Sequence, residues 1–131
     1  MIEDDLSSLS VILLDDEEDI CRLFLDIAIN WGIKSCVATP DVNIFQAAMF
    51  DQFFDVAFVD VVLPNNIDGL DLIQTLRDKY PLTEFIAVSG RSDLEARIEV
   101  GNLLVSFMKK PLNLEQVKSK LLAIVARKKV L

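Results

Sequence analysis

Val56-Ala57-Phe58-Val59-Asp60, continued by Val61-Val62-Leu63-Pro64-Asn65-Asn66-Ile67-Asp68-Gly69, decides how the chain is read. Four apolar residues, two of them β-branched, run without a break and stop on a carboxylate. Such a run is what a strand buried on both faces looks like. Pro64, two asparagines and Asp68-Gly69 then force a loop. Asp60 is therefore expected where a buried strand surfaces, the usual place for ligands and chemistry in an open parallel sheet. Taken alone it also reads as a solvated strand-end aspartate, so the other strand ends bear on the choice.

Upstream, Val11-Ile12-Leu13-Leu14 predicts a buried strand that ends on Asp15-Asp16-Glu17-Glu18. A helix is predicted from about residue 18 to 31, with Ile20, Leu23, Phe24, Ile27 and Trp31 on one face and Gly32 as its stop. Ser35-Cys36-Val37-Ala38 predicts a short strand, and Pro40-Asp41 opens a helix carrying Val42, Phe45, Ala48 and Met49 inward. Downstream, Gly69 to Tyr80 predicts a helix packing Leu72, Ile73, Leu76 and Tyr80, ended by Pro81. Phe85-Ile86-Ala87-Val88 predicts the fourth strand, ending on Ser89-Gly90. Ser92 or Asp93 caps a fourth helix with Leu94 and Ile98 inward, closed by Gly101. Leu104-Val105-Ser106-Phe107-Met108 predicts the fifth strand, before Lys109-Lys110-Pro111. Asn113 caps the last helix, whose apolar face is Leu114, Val117, Leu121 and Ile124.

Strands that alternate with helices through connections of crossover length predict a parallel sheet covered on both faces. The expected architecture is α/β: a doubly wound, five-stranded, flavodoxin-like sheet of order 2-1-3-4-5 in three α/β/α layers. That order gathers Asp15, Asp16 and Asp60 at one sheet edge, beside the point where the strand order reverses. Residues 1–9 are polar and are expected to be flexible, leaving one domain over 10–131.

Composition narrows the function. At 131 residues the chain is long enough for one full core. Its apolar residues come in short runs, far from the ~20 that a membrane span needs, and no basic-then-apolar leader opens it. Two cysteines, Cys21 and Cys36, suit neither a structural zinc site nor a disulfide framework, so a reduced, cytoplasmic setting is expected. A net charge of −8 argues against nucleic-acid binding. The absence of histidine removes Ser-His and Cys-His nucleophilic chemistry, and any phosphohistidine on this chain.

Three carboxylates at adjoining strand ends repel one another. At ~4 Å and an effective dielectric near 20, each pair costs roughly 4 kcal/mol. The crowding is expected to raise at least one carboxylate pKa unless a cation relieves it. With oxygen ligands and neither histidine nor a paired cysteine in reach, the hard ion Mg2+ is the natural occupant. Lys110 adds a fixed positive charge and Ser89 a hydroxyl. A cation, a lysine and a hydroxyl around a carboxylate suit phosphoryl transfer onto that carboxylate. Each piece has a plainer reading: acidic residues at a helix N-terminus, a turn serine, a solvated lysine pair. The four together, at four successive central strand ends, form a specific signal.

On these residues, from about Val11 to Ala126, the chain resembles a response-regulator receiver domain of two-component signalling. The resemblance implies Asp60 as the phosphoacceptor and Asp15 and Asp16 as the acidic pair that holds Mg2+, with the Val62 backbone carbonyl as a further ligand. It implies Ser89 and Lys110 as the groups that bond the phosphoryl oxygens, Phe107 as the switch aromatic, and Gly90 as the small residue that leaves access to the site. Two departures stand out. Asn65-Asn66-Ile67 makes the Pro64–Gly69 loop one residue longer than the family's Pro-x-x-Asp-Gly, and the stretch from Ser89 to Phe107 lacks the common Ala-Gly-Ala before the fifth strand.

The implied partner is a sensor histidine kinase or a histidine phosphotransfer domain. A downstream effector or a second copy would engage the fourth helix, fifth strand and last helix; no nucleic acid or membrane is expected to bind. The domain would act as a signalling module rather than an enzyme, catalysing only its own phosphorylation and slow dephosphorylation. The competing reading is a pseudo-receiver that binds partners without being phosphorylated. An aspartate-nucleophile phosphatase would want a second aspartate where Val62 stands, and a flavin site would want a Ser/Thr/Gly-rich loop where Asp15 to Asp19 stand.

Overall fold

β3 (Val56–Asp60) is buried at every position and lies at the centre of a five-stranded parallel sheet. The computed structural model describes residues 5–90, 101 and 105–130. In chain order the elements are β1 (Ser10–Leu14), α1 (Glu18–Asn30), β2 (Ser35–Thr39), α2 (Val42–Asp51), β3, α3 (Gly69–Lys79), β4 (Glu84–Ser89), β5 (Ser106–Lys109) and α4 (Leu114–Val130). The sheet runs β2-β1-β3-β4-β5, the order expected from the sequence. Its register pairs Leu14 with Val59 and Asp60 with Val88, so β1, β3 and β4 surface side by side.

Side-chain alternation along the strands builds two cores. Ile12, Leu14, Ala57, Val59, Phe85 and Ala87 face Phe45 and Met49 of α2 and Leu72, Ile73 and Leu76 of α3. Val11, Leu13, Val56, Phe58, Ile86 and Val88 face Cys21 and Phe24 of α1 and Val117, Leu121, Ile124 and Val125 of α4. Phe24 meets Phe58 edge to face at 5.4 Å, a favoured arrangement of two ring quadrupoles. Each large side chain buried this way contributes about 1.5–3 kcal/mol.

Local signals set the helix ends. Asp41 Oδ1 accepts from the Asn43 and Ile44 amides to cap α2, and Asp68 Oδ1 accepts from Leu70 N to cap α3. Asn113 Oδ1 accepts from Gln116 N at the start of α4. Gly32, at φ +72°, ends α1 in the left-handed region as its position after the helix suggests.

Several expectations are corrected. Of the stretch expected to be flexible, residues 1–4 lie outside the described residues, but Leu6 and Leu9 are buried in the second core and a Leu9 N–Leu6 O bond closes the turn between them. Leu23 is 51% exposed, and α1 buries Cys21, Phe24 and Ala28 instead. Leu114 is exposed too, with Val125 buried in α4. β5 is Ser106–Lys109 rather than residues 104–108. The fourth helix expected over residues 92–101 falls almost wholly outside the described residues, as does Leu104.

Candidate functional site

Four strand ends and the loop after β3 build the site. β1 ends against Asp15, whose backbone is fixed from two sides: Asp15 N donates to Thr39 O of β2, and Cys21 Sγ of α1 donates to Asp15 O at 3.3 Å. The Asp15 side chain is fully buried, and its Oδ1 accepts from Glu17 N at 2.9 Å. Asp60, the last residue of β3, is 3% exposed, and its Oδ1 accepts from Val62 N at 3.1 Å. Asp16 is exposed at the rim. One carboxylate oxygen from each of Asp15, Asp16 and Asp60 lies within 4.8 Å of the others. The three residues grouped from the sequence are thus brought together.

Lys110 reaches into this cluster from the end of β5. Its Nζ stands 2.8 Å from Asp60 Oδ2, 3.0 Å from Asp15 Oδ2 and 3.8 Å from Glu17 Oε2. The Asp60 contact is a hydrogen bond. The Asp15 contact is an ion pair whose direction makes no hydrogen bond, so Asp15 Oδ2 is buried without one among the described residues. Lys110 N donates to Ser89 O at 2.9 Å, tying the lysine to the end of β4. The Lys110-Pro111 peptide bond is cis.

The electrostatics follow from burial and from that lysine. Burial pushes the Asp60 carboxyl up; Lys110 and the Val62 amide pull it back, and the net direction stays upward. The charge of Asp15 is the smallest of these causes, so desolvation outweighs the carboxylate crowding expected from the sequence. Burial lowers the Lys110 ammonium, but Asp60 and Asp15 outweigh it and hold it above the ordinary lysine value.

Ser89 is fully buried, one residue past Val88, which pairs with Asp60. Gly90 has room: a Cβ there would lie 3.7 Å from Lys110 Cβ, an ordinary contact. Phe107 is half-buried and packs on the first core. The lengthened loop after Asp60 is accommodated by Asn65 and Asn66, at φ +61° and +58°. With Ile67 N donating to Pro64 O at 3.3 Å, this is the positive-φ pattern of a type I′ turn. Val62 then bridges to Asp68 in antiparallel fashion, returning the chain to α3.

Two participants were not singled out from the sequence. Glu17 adds a carboxylate beside Lys110, though it stood inside the acidic run. Gly69 packs against the Asp60 backbone, and the signal was its place after Asp68 at a helix start.

A clustered set of oxygen donors, one of them buried without a hydrogen bond, fits a hard divalent cation of the Mg2+ type.

The model of the response regulator receiver domain matches residues 11–122. An NtrX-like response regulator of Rickettsia bellii is 24% identical over 110 residues, which cover 82% of this chain and 23% of the relative. The DNA-binding transcriptional regulator NtrC of Proteus hauseri is 27% identical over 119 residues, 90% of this chain and 24% of the relative. The chain thus spans about a quarter of the length of these curated relatives. Among solved structures, a two-component response regulator from Clostridium difficile superposes with a TM-score of 0.82 at 21% identity, covering 92% of this chain and 98% of that one. A CheY-like receiver domain protein from Methanospirillum hungatei gives 0.75 at 25% identity, with 91% and 98% covered. The chain belongs to the response regulator receiver domain family.

Proposed function

We propose that Asp60 accepts a phosphoryl group from a phosphohistidine on a partner, and that the aspartyl phosphate changes what the domain binds. One observation carries this reading: a buried strand-end carboxylate with a lysine ammonium at 2.8 Å and two further carboxylates clustered beside it. In the transfer, an Asp60 oxygen forms the new P–O bond as the N–P bond breaks and its electron pair returns to the imidazole. The chain has no histidine, so the donor sits on a sensor histidine kinase or a histidine phosphotransfer domain. Lys110 offsets negative charge on the transferred group, and the Ser89 hydroxyl hydrogen-bonds one of its oxygens. Asp15, Asp16, Asp60 and the Val62 backbone carbonyl would hold Mg2+, which when bound supplies charge neutralisation during transfer.

A partner can reach the site beside Lys110. An apolar hollow of about 410 Å3 opens there between α1 and the start of α4, lined in part by Ile20, Leu23, Ile27, Leu112 and Leu114. It gives the exposed Leu23 and Leu114 a purpose that core packing does not, and it suits the apolar face of a phosphohistidine-bearing helix. On the output side, Ser89 and Phe107 carry the change towards β5 and α4, where an effector would respond. A cytoplasmic setting fits this role; among the described residues no helix is long and apolar enough to cross a membrane.

The test is acetyl phosphate with Mg2+ followed by intact mass. The expected result is one labile phosphoryl group on the wild type and none on Asp60→Asn, because an amide forms no acyl phosphate. An unlabelled wild type would favour the pseudo-receiver reading, and labelled Asp60→Asn would mean the acceptor is another residue.

A further inference from the structure

We propose that the open edge of β2 is a docking surface for a second copy of this chain, the two β2 strands pairing antiparallel about a two-fold axis at Val37. Among the described residues β2 ends the sheet, with β1 as its only neighbour. Ser35 N donates to Leu9 O and Thr39 O accepts from Asp15 N, so Ser35, Val37 and Thr39 turn their backbone groups towards β1. By alternation, Cys36 and Ala38 turn theirs outward, and among the described residues nothing pairs with them.

The edge lacks the devices that normally protect one. Charged side chains, proline and bulges blunt exposed strands. β2 has no charge from Ser35 to Thr39, and its proline, Pro40, comes just after the strand. β5, the opposite edge, is four residues long and ends on an exposed Lys109.

The occupant follows from the strand's two ends. Lys34 precedes β2 and Asp41 follows it, both exposed. Antiparallel pairing about Val37 sets Cys36 opposite Ala38 of the second copy and Ala38 opposite its Cys36, which matches donors to acceptors at both positions. The same operation brings the Lys34 end of each strand to the Asp41 end of the other. One strand with a positive and a negative end is complementary to itself only in this orientation. α1 and α2 pack on either side of β2, so the pairing brings each towards its counterpart. They carry the exposed apolar side chains Ile29, at 79%, and Ile44 and Phe50, at 55% and 77%.

Sedimentation velocity on the full chain from about 5 to about 500 µM tests this. The expected result is a reversible dimer whose dissociation constant rises about tenfold or more in Lys34→Glu, which sets like charges at both ends. The melting temperature of dilute Lys34→Glu should stay at the wild-type value, since Lys34 is exposed and outside the core. As a second readout, Val37→Cys in a Cys36→Ser background should cross-link rapidly under diamide, because the two-fold sets residue 37 against its copy at a separation a disulfide spans. Met108→Cys in the same background, on the other sheet edge, should not. A wild type that stays monomeric throughout overturns the proposal. So does a dimer that Lys34→Glu leaves unmoved and Val37→Cys fails to cross-link; such a dimer would use another face.

Discussion

A Cβ built on Gly69 would stand 2.0 Å from the Asp60 backbone oxygen and 2.8 Å from Val61 Cα. The first residue of α3 is thus pressed against the end of β3, and Gly69 N donates to Val61 O at 2.8 Å across the same contact. No flexible side chain can give way there, because both opposing atoms are backbone. Gly69→Ala must therefore push α3 away or displace Asp60, at a cost of about 2–4 kcal/mol. Gly90→Ala should cost less than about 1 kcal/mol, since its Cβ would meet only Lys110 Cβ at 3.7 Å. Urea unfolding of the two variants separates them, and equal midpoints would refute the packing described here.

Lys110 is placed to neutralise Asp15 and Asp60. Lys110→Met therefore leaves two buried carboxylates without their cation. Breaking such a pair typically costs about 3–5 kcal/mol; with Lys110 itself 21% exposed, the lower end is expected here. Mg2+ should restore part of the loss and stabilise the variant more than the wild type. For a dissociation constant of about 1 mM, about 10 mM ion adds roughly 1.4 kcal/mol by mass action. Asp16→Asn, at the exposed rim, should shrink the Mg2+ effect while changing apo stability little. Melts of the three proteins with and without Mg2+ check this, and an ion-insensitive wild type would count against the metal assignment.

Glu84 knots the far end of the sheet. Its carboxylate meets Lys120 at 2.6 Å and Arg127, both on α4, and accepts from Ser106 Oγ of β5 at 3.3 Å. Burial pushes the Glu84 carboxyl up, but Lys120 and Arg127 outweigh it and leave it below the ordinary glutamate value of 4.5. A folded pKa below the unfolded one means stability that is present above about pH 4.5 and lost as pH falls through the folded value. After solvent screening the contribution is about 1 kcal/mol. Stability of Glu84→Gln should fall behind the wild type by that amount near pH 6, and the gap should close as pH falls through the folded value. A constant gap between the two would show that the ion pairs carry no pH-dependent stability.

What was legible in the sequence was whatever a short window specifies. The unbroken apolar runs of β1, β3 and β4 announce strands buried on both faces, and crossover-length connections dictate a parallel sheet. Asp15, Asp60, Ser89 and Lys110 stand at or beside strand ends, so strand order alone assembles them. What a window does not hold is the partner across space. Leu23 looks inward by periodicity, but it is half exposed and lines an open hollow together with Leu112 and Leu114. Leu6 and Leu9 sit in a polar context and are buried because α4 and the sheet leave room for them. The Glu84 knot joins residues 36 and 43 positions apart, and the closeness of Gly69 to Asp60 appears only once α3 is docked.

The two asparagines of the long loop carry the last expectation. Asn65 and Asn66 both hold positive φ, where a side chain with a Cβ costs about 1–2 kcal/mol and asparagine tolerates the region better than most. Between them they absorb the residue that the family's shorter loop lacks, so that Val62 still bridges Asp68 and still donates to Asp60 Oδ1. Asn66→Gly should leave stability within about 0.5 kcal/mol, because glycine takes the same conformation freely. Asn66→Val forces a β-branched residue into the left-handed region and should cost about 2 kcal/mol. If the loop positions the Val62 carbonyl for an ion, Asn66→Val should also weaken Mg2+ binding in calorimetric titration, while Asn66→Gly should not. A valine variant that keeps full stability would mean the turn relaxes to another conformation. One that loses stability yet binds Mg2+ as the wild type does would leave the turn intact as described and remove Val62 from the proposed ligand set.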